Sequence, residues 1–276
     1  MQALEFIDRW PVPHVAAAWI GPDDAVHSRG PTQHSFRLAS IAKMFVGWSS
    51  LVAVEEGIIT LDDPCDVNGR TLRELLSHAG GYAFDGATPI AVARQRRIYS
   101  NTGIEHAAEA VAKAAGMPFE HYLRESMLEP LGMQHTVMKG SPAHQMFSTL
   151  DDLLLFVREL RAPRLLHVDT AAEFSSPQFP ELAGIVPGVG RFDPCLWGLG
   201  TELKGNKQPH WTGRHNSVGT FGHFGGAGTL LWVDVEANVA CIALTDRMFD
   251  EWSVEALELW PAFSDAVLTE AGAALR

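Results

Sequence analysis

The chain has 276 residues, of which 46% are hydrophobic, and its formal net charge at pH 7 is −12. This length and composition allow one large domain with a sizeable core, and they exclude a disordered chain. The negative charge, with no basic block to offset it, argues against a nucleic-acid partner.

The cysteines and the N-terminal residues indicate a compartment. Three cysteines, Cys65, Cys195 and Cys241, lie far apart and form no C-x-x-C pair, which is typical of free thiols in a reducing compartment. The first residues, MQALEFIDRWPVP, lack the basic and apolar regions of a signal peptide. No apolar run approaches the roughly 20 residues of a membrane span. We therefore expect a cytoplasmic protein without a membrane partner.

The first third of the chain predicts two short strands and a buried helix. The strands are expected at residues 14–20 and near residues 25–27, around the turn GPDD. The helix follows Ser40 and ends at Gly57, because apolar residues recur at helical spacing. These residues are Ile41, Met44, Phe45, Trp48, Leu51 and Val52.

The middle of the chain predicts helices only. TLRELLSHAGG, residues 71–81, begins with a capping-box pattern, Thr71 and Glu74. NTGIEHAAEAVAKAAGMP, residues 101–118, suggests a second capping box, Thr102 and Glu105. FEHYLRESMLEPLGM and STLDDLLLFVREL predict two more helices.

The last third returns to strands and closes with a helix. Strand patterns begin near Trp197, with VEAN as a hairpin turn, and the tail from Glu251 to Leu275 has helical spacing. Strands at both ends and helices between them predict an α+β fold in one domain, residues 1–276. We expect an antiparallel sheet flanked by N- and C-terminal helices. A helical lobe, about residues 58–190, would be inserted in an α/β lobe formed by residues 1–57 and 191–276. A cleft between two such lobes is a common place for a site.

One sequence pattern in the first predicted helix suggests chemistry. Ser40 and Lys43 lie one helical turn apart on the same side. A lysine whose pKa is lowered by burial can deprotonate a nearby serine and activate it as a nucleophile. An S-x-x-K pattern by itself is weak evidence for catalysis. The same sequence pattern results when the serine caps a helix and the lysine extends to the surface.

Two further motifs, together with Ser40 and Lys43, resemble those of a known family. Tyr99-Ser100-Asn101 precedes a predicted helix, and His223-Phe224-Gly225 begins a predicted strand. Ser40-x-x-Lys43, Tyr99-x-Asn101 and His223-x-Gly225, in this order, resemble the class C β-lactamase and penicillin-binding serine hydrolase superfamily. The flanking segments TLRELLSHAGG, EPLGM and GHFGGAGTLLWVD are similar to that superfamily as well. The resemblance extends from about Phe36 to Arg247.

The resemblance implies roles for the first two motifs. Ser40 would be the acylated nucleophile and Lys43 its base. Tyr99 would pass a proton to the leaving group, either as a phenolate or through Lys43. Asn101 would bind the amide or carbonyl on the acyl side of the substrate.

The third motif would complete the site. His223 and Gly225 would line the substrate pocket, with His223 near the hydroxyl of Tyr99. The backbone N–H groups of Ser40 and Gly226 would form the oxyanion hole, since glycines let the backbone come close. Two departures concern the pocket: many β-lactamases of this superfamily have Lys-Thr-Gly at the third motif, and the segment between Ser40 and Tyr99 is short.

The expected activity is that of a serine hydrolase acting on a small ester or amide, esterase-like or D-amino-acid-peptidase-like, with weak or no β-lactam hydrolysis. Alternatives on the same fold are a protein that is only acylated, such as a penicillin-binding sensor, a structural protein, or a true β-lactamase. In these alternatives Tyr99 can be a half-buried aromatic and Asn101 a helix cap. No cofactor is expected, because no phosphate-binding or dinucleotide motif is present. No metal is expected, because the histidines show no tight ligand spacing. The substrate's identity and the oligomeric state stay open.

Overall fold

The computed structural model of the chain describes residues 2–273. Its helices and long strands follow the predicted order, but the middle of the chain, predicted to contain helices only, also contains short strands. The strands are β1 (Val15–Ile20), β2 (Val26–Arg29), β3 (Phe36–Arg37), β4 (Val137–Met138), β5 (Met146–Ser148), β6 (Gly184–Val186), β7 (Gly190–Phe192), β8 (Glu202–Leu203), β9 (Phe221–Gly225), β10 (Thr229–Asp234) and β11 (Val239–Thr245). The α-helices are α1 (Ala42–Glu55), α2 (Leu72–Leu76), α3 (Asn101–Ala115), α4 (Phe119–Leu123), α5 (Glu129–Leu131), α6 (Leu150–Arg161), α7 (Val168–Phe174) and α8 (Ser253–Glu270). Short 3-10 segments at Ala3–Arg9, Ala39–Ile41 and Phe249–Glu251, and a π-helical turn at Arg124–Leu128, complete the set.

A six-stranded antiparallel sheet joins the two ends of the chain. Its strand order is β2-β1-β11-β10-β9-β8. The first strand β1 pairs with the last strand β11 from Val15 opposite Thr245 to Ile20 opposite Ala240. The predicted α+β class with a sheet built from the terminal segments is therefore confirmed.

The sheet has a hydrophobic core on each face because side chains alternate along a strand. Ala17 and Trp19 of β1 pack in the core that contains the N-terminal 3-10 segment and α8. Ala16, Ala18 and Ile20 of the same strand pack in the core that contains α1, α3 and α6. The helix α1 is thus covered on both sides, and its residues from Ala42 to Ala53 are all buried.

The helical segment between the sheet strands corrects one predicted cap. Thr71 and Glu74 do form a capping box at α2. At α3, however, the cap is Ser100, whose hydroxyl accepts from the Gly103 N–H at 3.0 Å. The predicted box of Thr102 and Glu105 is wrong.

Tertiary contacts explain the difference. The Thr102 hydroxyl accepts a hydrogen bond from the Gly86 N–H at 3.0 Å, and the Glu105 carboxylate accepts one from the Ser141 hydroxyl. Both side chains are therefore engaged by other loops. Their loss from the cap allows the helix to begin at Asn101 with Ser100 as its cap.

Two further sequence expectations bear on the chain ends and on membranes. The helical tail is present from Ser253 to Glu270, and the predicted end at Leu275 lies outside the described residues. Within residues 2–273, none of the helices combines the length and apolar character needed to cross a bilayer. The lobe boundaries at residues 58 and 190 stay a prediction.

Candidate active site

The turn that carries Ser40 is held tightly against the sheet. Ser40 lies in the 3-10 turn that opens α1, and Ala39 before it has a left-handed φ of 48°. This conformation is costly for a residue with a side chain and is found where surrounding contacts enforce it. The contact here is with the start of β10 and end of β9. Thr229 Oγ1 donates to the Leu38 carbonyl at 3.0 Å, and a Cβ at Gly225 would meet the same oxygen at 2.3 Å. Gly225 is thus required for the close approach of the turn that carries Ser40.

Lys43 is fully buried and points at Ser40. Its Nζ lies 3.2 Å from Ser40 Oγ, 2.7 Å from Asn101 Oδ1 and 2.9 Å from the Ala143 carbonyl. All three partners are neutral oxygens. Burial lowers the pKa of Lys43 to about 7, against the raising effect of the more distant carboxylates of Glu105 and Asp85. Half of the Lys43 side chains are therefore neutral near pH 7.

Tyr99 links Lys43 to the third motif. The Lys43 Nζ lies 4.8 Å from the centroid of the Tyr99 ring, and the phenol oxygen lies 3.3 Å from His223 Nε2. Burial raises the pKa of Tyr99 above its usual value of 10, and its hydrogen bond with Ser40 only partly opposes this. Tyr99 is therefore a neutral phenol at pH 7, which argues against the phenolate alternative.

His223 is a neutral imidazole with a defined tautomer. Its Nδ1 lies 2.6 Å from the Phe224 carbonyl, which can only accept, so Nδ1 carries the proton. Its Nε2 is then free to accept from the hydroxyl of Tyr99. Burial lowers the pKa of His223 to about 3, with a further contribution from Lys43.

A mainly apolar cavity of about 220 Å³ opens in front of Ser40. Ser40 and Gly226, the two residues of the predicted oxyanion hole, both line it, and the space where a Gly226 side chain would project is empty. The remaining lining residues are Phe84, Tyr99, Val186, Pro187, Gly188, Trp197, Glu202, His223, Phe224, Phe249 and Asp250. Gly225, which the resemblance predicts to line the pocket, is not among these residues. Asn101 does not line the cavity either. Its amide oxygen binds Lys43, and its Nδ2 donates to Asp85 Oδ1 at 3.1 Å.

His78 is a residue near the site to which the sequence assigned no role. Its carbonyl accepts from the Ile98 N–H at 3.0 Å, and its Nδ1 accepts from the Ser100 N–H at 3.2 Å. Its ring packs 4.5 Å from the ring of Tyr99, centroid to centroid. His78 thus contacts three consecutive residues around Tyr99, and it does so with a left-handed φ of 59°. The only available signal was its place in the LLSHAGG segment.

A second charged cluster contributes one residue, Glu202, to the wall of the cavity. Glu202 is buried there, and its carboxylate lies 3.0 Å from Lys207 Nζ, 3.1 Å from His210 Nε2 and 2.7 Å from Trp211 Nε1. Burial alone would raise the pKa of Glu202, but Lys207 and His210 hold it well below its usual value. Glu202 is therefore ionised and already paired. Single-sequence reasoning missed this cluster because its members carry no motif.

Two other groups lie outside the cavity. Arg214, nine residues before His223, lines a separate cavity beside α8. The exposed side chains of His14, His34 and Asp246 place one donor atom each within 4.8 Å of one another, as a metal ion needs. None of the predicted catalytic residues belongs to this group.

Comparisons with known proteins agree with this geometry. The family model for β-lactamases matches residues 13–260. The chain belongs to the β-lactamase family. A solved structure described as a β-lactamase from Mycobacterium bovis is 44% identical, with a TM-score of 0.94 over 98% of this chain and 99% of that one. The predicted superfamily and the β-lactamase-like fold are therefore confirmed.

Two weaker matches to this β-lactamase-family chain are described as other kinds of protein. A 28% identical match to penicillin-binding protein 4* from Bacillus subtilis covers 38% of this chain and only 31% of that protein. A D-stereospecific amidohydrolase from Streptomyces shares the fold, with a TM-score of 0.70 at 21% identity over 92% of this chain and 96% of that one. The family thus fixes a serine hydrolase scaffold, and the substrate must be argued from the pocket.

Proposed function

We propose that this protein is a serine hydrolase that cleaves small esters through an acyl-enzyme on Ser40. The observation that carries the proposal is the environment of Lys43. Its amine is fully buried among neutral oxygens, has a pKa of about 7, and lies 3.2 Å from Ser40 Oγ. A base with these properties is half-deprotonated at neutral pH and close enough to take the serine proton.

The acylation step uses Ser40, Lys43 and Tyr99. Neutral Lys43 takes the proton from Ser40 Oγ while that oxygen forms a bond to the ester carbonyl carbon. When the tetrahedral intermediate collapses, the bond from this carbon to the leaving oxygen breaks. Tyr99 gives its phenol proton to the leaving oxygen and receives one from Lys43, so Lys43 returns to its neutral form. Tyr99 contacts Ser40 and lies against Lys43, and it begins as a neutral phenol with a proton to give.

His223 and the oxyanion hole support this step. His223 Nε2 accepts from the phenol of Tyr99 and orients it. The N–H groups of Ser40 and Gly226, at the mouth of the cavity, are proposed to bind the negative carbonyl oxygen of the intermediate. In deacylation a water molecule takes the place of Ser40 as the nucleophile. Its proton follows the same path in reverse, and the carboxylic acid leaves.

The charge of the pocket favours an ester over a β-lactam. Among the described residues that line the cavity, the charged ones are the acidic Glu202 and Asp250. His223, at the position where many β-lactamases of this superfamily have a lysine, is neutral because its pKa is about 3. The carboxylate of a penicillin therefore meets no cation there, whereas a simple ester needs none. A small amide is the second member of this substrate class, and its poorer leaving group predicts slower turnover.

A true β-lactamase is the second candidate function. It is favoured by the 44% identical structure from Mycobacterium bovis that is described as a β-lactamase. The two functions predict opposite substrate preferences in one assay. We expect kcat/KM for p-nitrophenyl acetate or butyrate to exceed that for nitrocefin. The variant His223→Lys should reduce the difference between these two values of kcat/KM. Nitrocefin hydrolysis far above esterase activity would overturn the ester assignment.

Covalent labelling tests the nucleophile itself. A serine-directed fluorophosphonate should modify the peptide that contains Ser40, and Ser40→Ala should remove both labelling and esterase activity. Labelling of another serine would contradict the mechanism. Multiple turnovers distinguish a hydrolase from a sensor, which stops after one equivalent of acylation.

The pH profile tests the base. Below pH 7 Lys43 is increasingly protonated and cannot accept the serine proton. The acylation rate should therefore rise with pH, with a midpoint at about 7, and level off above it. A rate that is flat from pH 5 to pH 9 would exclude Lys43 as the base.

A further inference from the structure

A second cavity, of about 520 Å³, adjoins the catalytic cavity at Tyr99. The two cavities share Phe84, Tyr99 and Pro187 in their walls. The second cavity does not reach Ser40 or Gly226. A molecule bound at Ser40 that extended toward the second cavity would therefore lie against these three residues.

The wall of this second cavity is apolar and unusually exposed. Phe84, Ile90 and Ile185 line it with 51%, 59% and 59% of their surfaces accessible to solvent. Exposed apolar side chains are common one at a time, but a group around one cavity marks a binding surface more often than chance. This part of the wall is suited to an aliphatic or aromatic group.

Three arginines also line the second cavity, and one of them is already engaged. Arg97 is buried, and its guanidinium donates to the carbonyls of Ser77, Gln178 and Cys195. Arg97 therefore holds the surrounding loops together and cannot bind a ligand.

The other two arginines are available. Arg96 and Arg191 are exposed, and neither guanidinium group has a hydrogen bond or an ion pair with any residue from 2 to 273. Their backbone segments are neighbours: Arg97 bridges to Gly184, and Arg191 lies opposite Ile185 in the β6–β7 hairpin. In a chain with a net charge of −12, two unpaired cations beside one apolar cavity are a specific feature.

We propose that this second cavity binds the leaving group of the substrate, and that this group is apolar and carries a carboxylate. The inference rests on the proposed function. Tyr99 protonates the leaving oxygen, so the departing alcohol or phenol must lie beside Tyr99, where the second cavity begins. Arg96 and Arg191 bind the carboxylate, and Phe84, Ile90 and Ile185 contact the rest of the group. The acyl group stays in the catalytic cavity beside Ser40 and Gly226.

The test compares two butyrate esters that differ in one carboxylate on the leaving group: 4-nitrophenyl butyrate and 3-carboxy-4-nitrophenyl butyrate. Because each enzyme variant is compared with the wild type on the same ester, differences in intrinsic reactivity cancel. In the double variant Arg96→Gln/Arg191→Gln, kcat/KM for the carboxylated ester should fall about three- to tenfold more than for the neutral ester, as expected for two exposed ion pairs. The change should be in KM, because these contacts bind ground state and transition state alike.

Two controls separate this effect from general electrostatics. Arg158→Gln removes one positive charge from an exposed position on α6, outside both cavities, and should not change the ratio of the two esters. Salt at about 0.5 M should reduce the wild-type preference by screening the ion pairs. An equal loss for both esters, no loss for either, or the same shift in Arg158→Gln would overturn the proposal.

A binding experiment remains decisive even if the esterase mechanism is wrong. The leaving group 5-hydroxy-2-nitrobenzoate and the neutral 4-nitrophenol are titrated calorimetrically into Ser40→Ala, which needs no turnover. Arg96→Gln/Arg191→Gln in the same background should weaken binding of the first and not of the second. Equal affinity in both backgrounds would reject the carboxylate site, whatever the fate of Ser40. Loss of esterase activity with intact, arginine-dependent binding would instead reject the catalytic assignment alone.

Discussion

Two lysines of this protein are buried in neighbouring regions and have opposite surroundings. Lys43 is fully buried and contacts Ser40, Asn101 and a carbonyl, all neutral. Lys207 is 3% exposed, and its Nζ lies 3.0 Å from the ionised carboxylate of Glu202. Both ammonium groups are hydrogen-bonded, so hydrogen bonding is not what separates them.

The difference lies in the charge of the closest partner. Removal of a lysine from water disfavours its charged form, and a contacting carboxylate offsets that cost. Lys207 has such a carboxylate and serves as a structural cation. Lys43 has carboxylates only at longer range, so burial dominates and its pKa falls to about 7. The proposed role of Lys43 as a base thus depends on a missing counter-charge.

The largest expected effect comes from removing the base. Lys43→Met should lower the rate of Ser40 acylation by about 10²–10⁴, the usual contribution of a positioned proton acceptor. Tyr99→Phe should cost a similar factor. The double variant should lose little more than either single variant, because both residues serve one proton path. Stopped-flow acylation with p-nitrophenyl acetate measures all three, and wild-type acylation by Lys43→Met would show that Lys43 is a bystander.

Replacement of Lys207 should destabilise the folded protein rather than remove its activity directly. Lys207→Met leaves the buried carboxylate of Glu202 without its main counter-charge and should lower the free energy of unfolding by about 3–5 kcal/mol. Glu202→Gln combined with Lys207→Met removes both charges and should recover part of that loss. Urea unfolding followed by tryptophan fluorescence measures both variants. If the single variant stays within about 1 kcal/mol of the wild type, the pair does not stabilise this region.

Placing a carboxylate beside Lys43 should make it resemble Lys207. In Asn101→Asp the new carboxylate takes the place of the amide oxygen that lies 2.7 Å from Lys43 Nζ. A contacting opposite charge should raise the pKa of Lys43 by about 1–3 units. Esterase activity at pH 7 should then fall about tenfold or more and recover as the pH rises toward 9. Asn101→Ser, which adds no charge, is the control. A midpoint that does not move upward in Asn101→Asp would mean that the missing counter-charge does not set the pKa.

The smallest effect is expected at His78, which lies between the two regions. His78→Ala removes the acceptor for the Ser100 N–H and the ring that packs on Tyr99, and it should lower kcat about five- to tenfold. His78→Asn should recover most of this, because asparagine tolerates a left-handed φ and its amide oxygen can accept from Ser100. KM for p-nitrophenyl butyrate should change little in either variant. If Asn restores thermal stability but not kcat, His78 does not position Tyr99.

The sequence by itself determined the parts of this protein that depend on local spacing. Ser40 and Lys43 are one helical turn apart, so any helix that begins there brings them together. Alternating apolar residues near both chain ends predicted the sheet, and three ordered motifs predicted the family before any distance was known. The Thr71–Glu74 cap of α2 was also correct, because its partners lie within one turn.

Only the tertiary structure decided the protonation states and the shape of the pocket. The hydrogen bonds of Lys43 to Asn101 and Ala143, and the contact of Tyr99 with His223, join residues 58, 100 and 124 positions apart. The same long-range contacts engaged Thr102 and Glu105 elsewhere and moved the cap of α3 to Ser100. A pKa depends on how much water and which charges surround a group, and a cavity depends on which loops meet. Both the pKa values and the cavity depend on contacts throughout the fold, so they cannot be predicted from any single segment of the sequence.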